Sequence, residues 1–127
     1  MSVFGIGIDV VEVARIAAAI TRHGESFLAR LFTTAEREYC DAQRNPAMHY
    51  AARFAAKEAA AKALGTGIGS HASWLDLEIV NNPSGAPQLV LGATTVAFAK
   101  DHGISDIKIS LTHAHHYAAA VAIAIGG

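Results

Sequence analysis

The sequence predicts an α+β domain in which an antiparallel sheet packs with one long helix and several short ones. Three observations carry that prediction. Strand-like and helix-like segments occur in mixed order along the chain, and two pairs of neighbouring strand-like segments are joined by short links. Apolar residues make up 52% of the chain and charged residues 17%, a balance that suits a folded core and argues against disorder. A second independent core within 127 residues would leave each half too small, so the chain reads as one domain, residues 1–127.

The first element is a strand over Val3–Val10, because Ile6, Ile8 and Val10 share one face while Gly5 and Gly7 lie on the other, which ends in Asp9. An Ala-rich helix follows over Val13–Arg22, with Gly24 as its stop. Thr33-Thr34-Ala35-Glu36 has the spacing of a capping box and opens a helix to about Arg44. Asn45-Pro46 then supplies an N-cap and a first-turn proline for the longest helix, which runs unbroken to Leu64, roughly 28 Å at ~1.5 Å per residue. It stops at the run Gly65-Thr66-Gly67-Ile68-Gly69. Trp74–Val80 and Gln88–Leu91 read as a hairpin closed by Asn81-Asn82-Pro83-Ser84-Gly85. Thr94–His102 reads as a short helix, and Ile107–Thr112 and Tyr117–Ile125 as two more strands.

Near-neutral charge excludes a global basic field of the kind that recruits nucleic acid or an anionic membrane, so an acidic partner must meet a local patch. The longest apolar run, Tyr117–Ile125, is far short of the ~20 residues a spanning helix needs. The single Cys40 can form no internal disulfide, and the N-terminus lacks a signal-peptide pattern; both point to the cytosol.

Three segments can carry chemistry. Asp9 ends an apolar strand, where it serves either as the cap of the next helix or as a carboxylate that wants a cation. Along the long helix, Arg53/Lys57 and Glu58/Lys62 are i,i+4 pairs, which read as a solvated charged face or as a functional row. The alternate glycines that follow allow a phosphate or nucleotide to approach the backbone closely. Two carboxylates from separate elements with Arg and Lys nearby make a hard oxygen site suited to Mg²⁺ and to phosphoryl transfer. In the third segment, Ser110 to Tyr117, His113 follows a strand and is placed to touch an anion, while His115 and His116 read as exposed turn residues. A zinc set is disfavoured because no cysteine or second histidine motif completes it. Arg15 and Arg22, seven residues apart, share one side of their helix and form a basic stripe.

Taken in order, Gly5-Ile6-Gly7-Ile8-Asp9 with Glu12 and Arg15-Ile16, then Arg53-Phe54-Ala55-Ala56-Lys57-Glu58 through Lys62 to Gly69, then Ser110-x-Thr112-His113 through Tyr117-Ala118, closely resemble the motifs of the holo-acyl-carrier-protein synthase family. These are the small 4'-phosphopantetheinyl transferases, and the likeness covers nearly the whole chain. The resemblance implies an enzyme that moves the phosphopantetheine arm of coenzyme A onto a serine of apo-acyl carrier protein. Asp9 and Glu58 would hold Mg²⁺ against the pyrophosphate, with either Glu58 or a metal-bound water as the base and Lys62 placed beside the leaving phosphate. It further implies that Arg53, Lys57 and His113 meet coenzyme A phosphates, that Gly65 and Gly67 admit close approach, and that Arg15 and Arg22 meet the acidic carrier protein. A homotrimer with sites at its interfaces follows from the same resemblance, with Tyr117–Ile125 or a strand beside it near the threefold axis. The rival readings are a broader transferase for other carrier domains and a coenzyme A-binding module without activity.

Overall fold

A computed structural model describes residues 1–127. Its organising contact is between the glycine face of the first strand and an alanine face of the long helix. Strand β1 (Ser2–Glu12) crosses helix α4 (Pro46–Leu64) so closely that a Cβ on Gly5 would overlap the Ala63 carbonyl and one on Gly7 the Ala59 carbonyl. Ala55, Ala56, Ala59, Ala60 and Ala63 are buried on α4, so small side chains on both partners set the sheet-to-helix distance. Gly7→Ala is therefore expected to lower the unfolding free energy by about 1–3 kcal/mol or more, the usual range for overpacking. An unchanged denaturant midpoint would show that the glycines do not set this spacing.

The remaining elements are α1 (Val13–His23), α2 (Glu25–Leu31), α3 (Thr34–Asp41), β2 (Leu77–Asn81), β3 (Pro87–Leu91), α5 (Ala93–Asp101), β4 (Ile104–His113) and β5 (Tyr117–Gly126). The main sheet is antiparallel in the order β1-β5-β4, and β2 and β3 form a separate antiparallel hairpin. Tyr117–Gly126 is thus the central strand. Its Ala118, Ala120, Ala122 and Ala124 point at the helices and are buried, which explains half of its two-sided apolar character. On the opposite face Val121 lies between Ile8 and Ser110, and Ile123 between Ile6 and Lys108. That outer face is apolar along β1, where Ile6, Ile8 and Val10 are 66%, 64% and 60% exposed.

The expected elements are all present, with differences at their ends. Gly24 ends α1 at φ 53, but a further short helix, α2, starts directly after it. The capping box at Thr33 and Glu36 forms, and α3 ends at Asp41, three residues short of Arg44. Asn45 makes no side-chain cap, although Pro46 does open α4. Trp74–Asp76 is a 3₁₀ turn, and β2 starts only at Leu77. Trp74 stacks on Phe54 at 5.0 Å, so a residue type that favours strands is held by tertiary packing in another shape.

A second apolar cluster joins Val13, Ile16, Leu31, Phe32, Cys40 and Tyr50 beneath α1 to α3. Burial pushes the Cys40 thiol up to about 12, so this cysteine packs as a small apolar residue and is not poised to react.

Candidate active site

Helix α4 carries charge on two sides that do different work. Lys57 turns inward: its side chain is fully buried, its Nζ donates to Glu36 Oε1 at 2.8 Å and to the Trp74 carbonyl at 2.8 Å. Glu36 also accepts from the backbone N–H of Thr33 and of Ile79, each at 2.9 Å. The expectation that Lys57 meets a coenzyme A phosphate is corrected here. With no exposed surface and its charge taken by Glu36, it joins α4 to α3 and to the turn before β2. The reading of Arg53 and Lys57 as part of a solvated row fails for the same reason, since Arg53 is only 4% exposed.

Glu58 is next to Lys57 but about 100° round the helix, which directs it toward β1. There it meets Asp9, and a cavity of about 390 Å³ is lined by both carboxylates with Arg15, Ile16, Phe27 and Phe54. Lys62, one turn on from Glu58, donates to the Ile8 carbonyl at 2.9 Å and lies 3.5 Å from Asp9 Oδ1. Burial first, and then the charge of Asp9, raise the Glu58 carboxyl above its ordinary value, while Lys62 pulls the other way. A carboxylate pair in which the charge of Asp9 disfavours that of Glu58 is a donor set that a hard cation would relieve, with substrate oxygens and water free to complete its shell. Asp9 and Glu58 therefore fit Mg²⁺. Asp9 caps no helix by its side chain; the residue at the N-terminus of α1 is Glu12, and it makes no capping bond.

Gly65 and Gly67 adopt positive φ, 82 and 64, which only glycine takes readily, and nothing in the protein stands within 4 Å of where their Cβ atoms would be. Their amides are already engaged, however. The Gly65 N–H donates to the Lys62 carbonyl at 3.0 Å and the Gly67 N–H to the Ala61 carbonyl at 3.1 Å, closing the end of α4. They offer an open surface and no free anion nest.

A guanidinium and two imidazoles lie on the side of the sheet where β4 ends, beyond β5 from Asp9. Arg53 Nη2 donates to Asn81 Oδ1 at 2.7 Å, and its guanidinium sits 4.1 Å from the centre of the Tyr39 ring. His113, at the end of β4, lines the same cavity of about 180 Å³ as Arg53, Tyr39, Asn81 and His49. The two imidazoles meet edge to face at 4.9 Å. Sequence reasoning did not single out His49, although its place four residues before Arg53 puts it on the same side of α4. His115 and His116 pack on each other in the exposed turn between β4 and β5, where the His116 carbonyl accepts from the Val13 N–H at 2.9 Å, and neither lines either cavity. Arg22 is exposed near the end of α1, about two turns beyond Arg15.

A carboxylate pair beside a lysine, with a guanidinium and imidazoles in a neighbouring cavity, defines a protein built to handle phosphates, as phosphoryl-transfer enzymes are. Comparison with known proteins narrows that class. Residues 5–122 match the 4'-phosphopantetheinyl transferase superfamily. The chain is 47% identical over 120 residues to a holo-[acyl-carrier-protein] synthase of Protochlamydia amoebophila, covering 94% of this chain and 95% of that one. It is 48% identical over 124 residues to one of Desulforudis audaxviator, covering 98% and 94%. Among solved structures, the holo-[acyl-carrier-protein] synthase of Neisseria meningitidis superposes with a TM-score of 0.91 at 32% identity, over 97% of this chain and 98% of that one. The Helicobacter pylori enzyme, solved in complex with coenzyme A, gives 0.84 at 33% identity over 94% and 99%. The chain belongs to the 4'-phosphopantetheinyl transferase superfamily, and its α+β fold is that of the holo-[acyl-carrier-protein] synthases.

Proposed function

We propose that this chain transfers the 4'-phosphopantetheine group of coenzyme A to a serine of apo-acyl carrier protein, releasing adenosine 3',5'-bisphosphate and so supporting fatty acid biosynthesis. The observation that carries the reading is the convergence of Asp9, Glu58 and Lys62 between β1 and α4, in a chain matching named synthases along almost its whole length. Asp9 and Glu58 hold Mg²⁺, which when bound offsets charge on the pyrophosphate. Glu58, its carboxyl raised by burial, accepts the proton of the carrier serine as the serine oxygen bonds to phosphorus. The phosphorus–oxygen bond to the nucleotide breaks, its electron pair stays on the departing phosphate, and Lys62, held by the Ile8 carbonyl, stabilises that oxygen.

Arg15 lines the same cavity as the carboxylates and, with exposed Arg22, meets the acidic carrier protein. Arg53 and His113 meet a coenzyme A phosphate, and the open surface at Gly65 and Gly67 lets the coenzyme pass. Asp9 and Glu58 lie at the β1 edge of the sheet and His113 at the β4 edge. A head-to-tail ring of three chains brings one chain's first edge beside the next chain's second, and buries the exposed face of Ile6, Ile8 and Val10. Ala122 is wholly buried against the chain's own helices, so within the expected region it is β1, the strand beside Tyr117–Gly126, with the outer face of β5 that packs near the threefold axis. One domain carries the reaction, in the cytoplasm, where a lone buried thiol stays reduced.

Incubation with coenzyme A, apo-acyl carrier protein and Mg²⁺ is expected to add one phosphopantetheine mass to the carrier, and chelation to stop it. Light scattering is expected to give three chains, and Ile8→Glu to lose both assembly and activity, because three like charges would meet in a desolvated centre. Coenzyme A binding without any mass gain would support a non-catalytic module. Equal rates on peptidyl carrier domains would support the broader transferase. A fully active monomer would defeat the shared site.

A further inference from the structure

The cavity between α3, the start of α4, the β2–β3 hairpin and the end of β4 contains more donor capacity than Arg53 and His113 alone account for. Arg53 is almost wholly buried, and although Nη2 is bonded to Asn81, its Nε is buried without a partner. An unpaired guanidinium donor in the interior costs free energy, and the same guanidinium lines the cavity, where an anion would meet its charge. One turn earlier on α4, the His49 ring packs against Tyr39 at 5.9 Å and His113 at 4.9 Å, at the same cavity.

The groups facing His49 are Tyr39 from α3, Arg53 from its own helix, Asn81 from β2 and His113 from β4, and no carboxylate lines the cavity. The Asp41 carboxylate, at the end of α3, is occupied by the Tyr50 hydroxyl at 2.8 Å. Two imidazoles and a guanidinium without an acidic neighbour form a site for an anion. Of the anions coenzyme A carries, the pyrophosphate is assigned to the Asp9 and Glu58 side. The ribose phosphomonoester is left over, and it alone reaches two negative charges on one phosphorus group.

We infer that His49 is a specificity residue for this phosphomonoester: with Arg53 and His113 it binds the dianion, and it takes up a proton from solvent as the phosphate arrives. The inference rests on the transfer reaction proposed above. In the free protein, burial first, then His113 and Arg53, hold His49 below its ordinary value, so the ring is neutral near pH 7 and adds no repulsion to the empty cavity. A dianion against the ring reverses the balance in favour of the imidazolium, which then donates a charge-assisted hydrogen bond.

Isothermal titration calorimetry of the whole protein with coenzyme A and with dephospho-coenzyme A, in buffers of different ionisation enthalpy near pH 7, tests this. The wild type is expected to prefer coenzyme A and to take up protons only with it. His49→Phe, which keeps a ring against Tyr39 and His113, is expected to reduce the preference about tenfold. It should also diminish the proton uptake, with affinity for dephospho-coenzyme A unchanged. If the phenylalanine variant binds dephospho-coenzyme A poorly as well, His49→Gln carries the same comparison. A variant that retains both preference and proton uptake overturns the inference, as does a wild type that binds the two coenzymes equally while still transferring phosphopantetheine. Failure to bind either coenzyme would instead defeat the proposed function.

Discussion

Glu58→Gln is expected to bind coenzyme A and fold normally, yet to transfer phosphopantetheine about 10²–10⁴-fold more slowly, the range typical for loss of a general base. The substitution keeps the volume beside Asp9 and removes a metal ligand along with the proton acceptor. Stability should move the other way. Burial and then Asp9 raise the Glu58 carboxyl, so the folded protein holds that proton more tightly than the unfolded chain does. Stability contributed by this group therefore falls as pH rises from the ordinary carboxylate value through the raised one, and the cost is fully present only above the raised one. Glutamine removes it. The melting temperature of the variant in the absence of metal should equal or exceed that of the wild type, while activity at saturating Mg²⁺ collapses. Retention of more than half the activity would remove Glu58 from the mechanism, and a large drop in melting temperature would assign it a structural role.

Lys57→Ala should have the opposite profile, with stability lost first. Both side chains of the Lys57–Glu36 pair are completely buried, and removing one partner of such a pair leaves an uncompensated charge, a loss of about 3–5 kcal/mol. For a domain of this size that corresponds to a melting temperature lower by on the order of 10 °C. The Trp74 carbonyl also loses its donor, so the turn before β2 should loosen together with the start of α3. Replacing Glu36 and Lys57 together by Gln and Met should restore part of the loss, since no lone charge then stays buried and the glutamine carbonyl still accepts a backbone N–H. Thermal unfolding of the single and double variants against the wild type measures this. A single variant within about 1 kcal/mol of the wild type would mean that water reaches Glu36 and that the pair does not hold the helices together. The neighbouring residues 57 and 58 thus predict different experiments, one stability with activity following, the other activity alone.

The elements legible in the sequence are those fixed by local chemistry. Alternation in Gly5-Ile6-Gly7-Ile8 marks β1, Pro46 and Gly65 bound α4, and Thr33 with Glu36 closes a capping box that is present in the fold. Helix α2 has no side-chain cap and only seven residues, so nothing local announces it; burial of Leu31 among α1 and α3 residues holds it in place. Trp74 is drawn out of strand geometry by its stack on Phe54, a partner twenty residues away in sequence.

The same division runs through the site. The sequence by itself determined which charged residues exist and at what spacing, and the order of Asp9, the Lys57-Glu58 to Lys62 run, and His113 is enough to mark the family. Spacing on a helix gives the angle between two side chains but never the rotation of the helix against the rest of the molecule. That rotation was decided by the backbone contact of Gly5 and Gly7 with Ala63 and Ala59, and by Glu36, which meets Lys57 across 21 residues of chain. Once it is set, Lys57 must face the interior and Glu58 must face Asp9. It also turns His49 toward His113, because only the packed sheet carries the end of β4 to the first turns of α4.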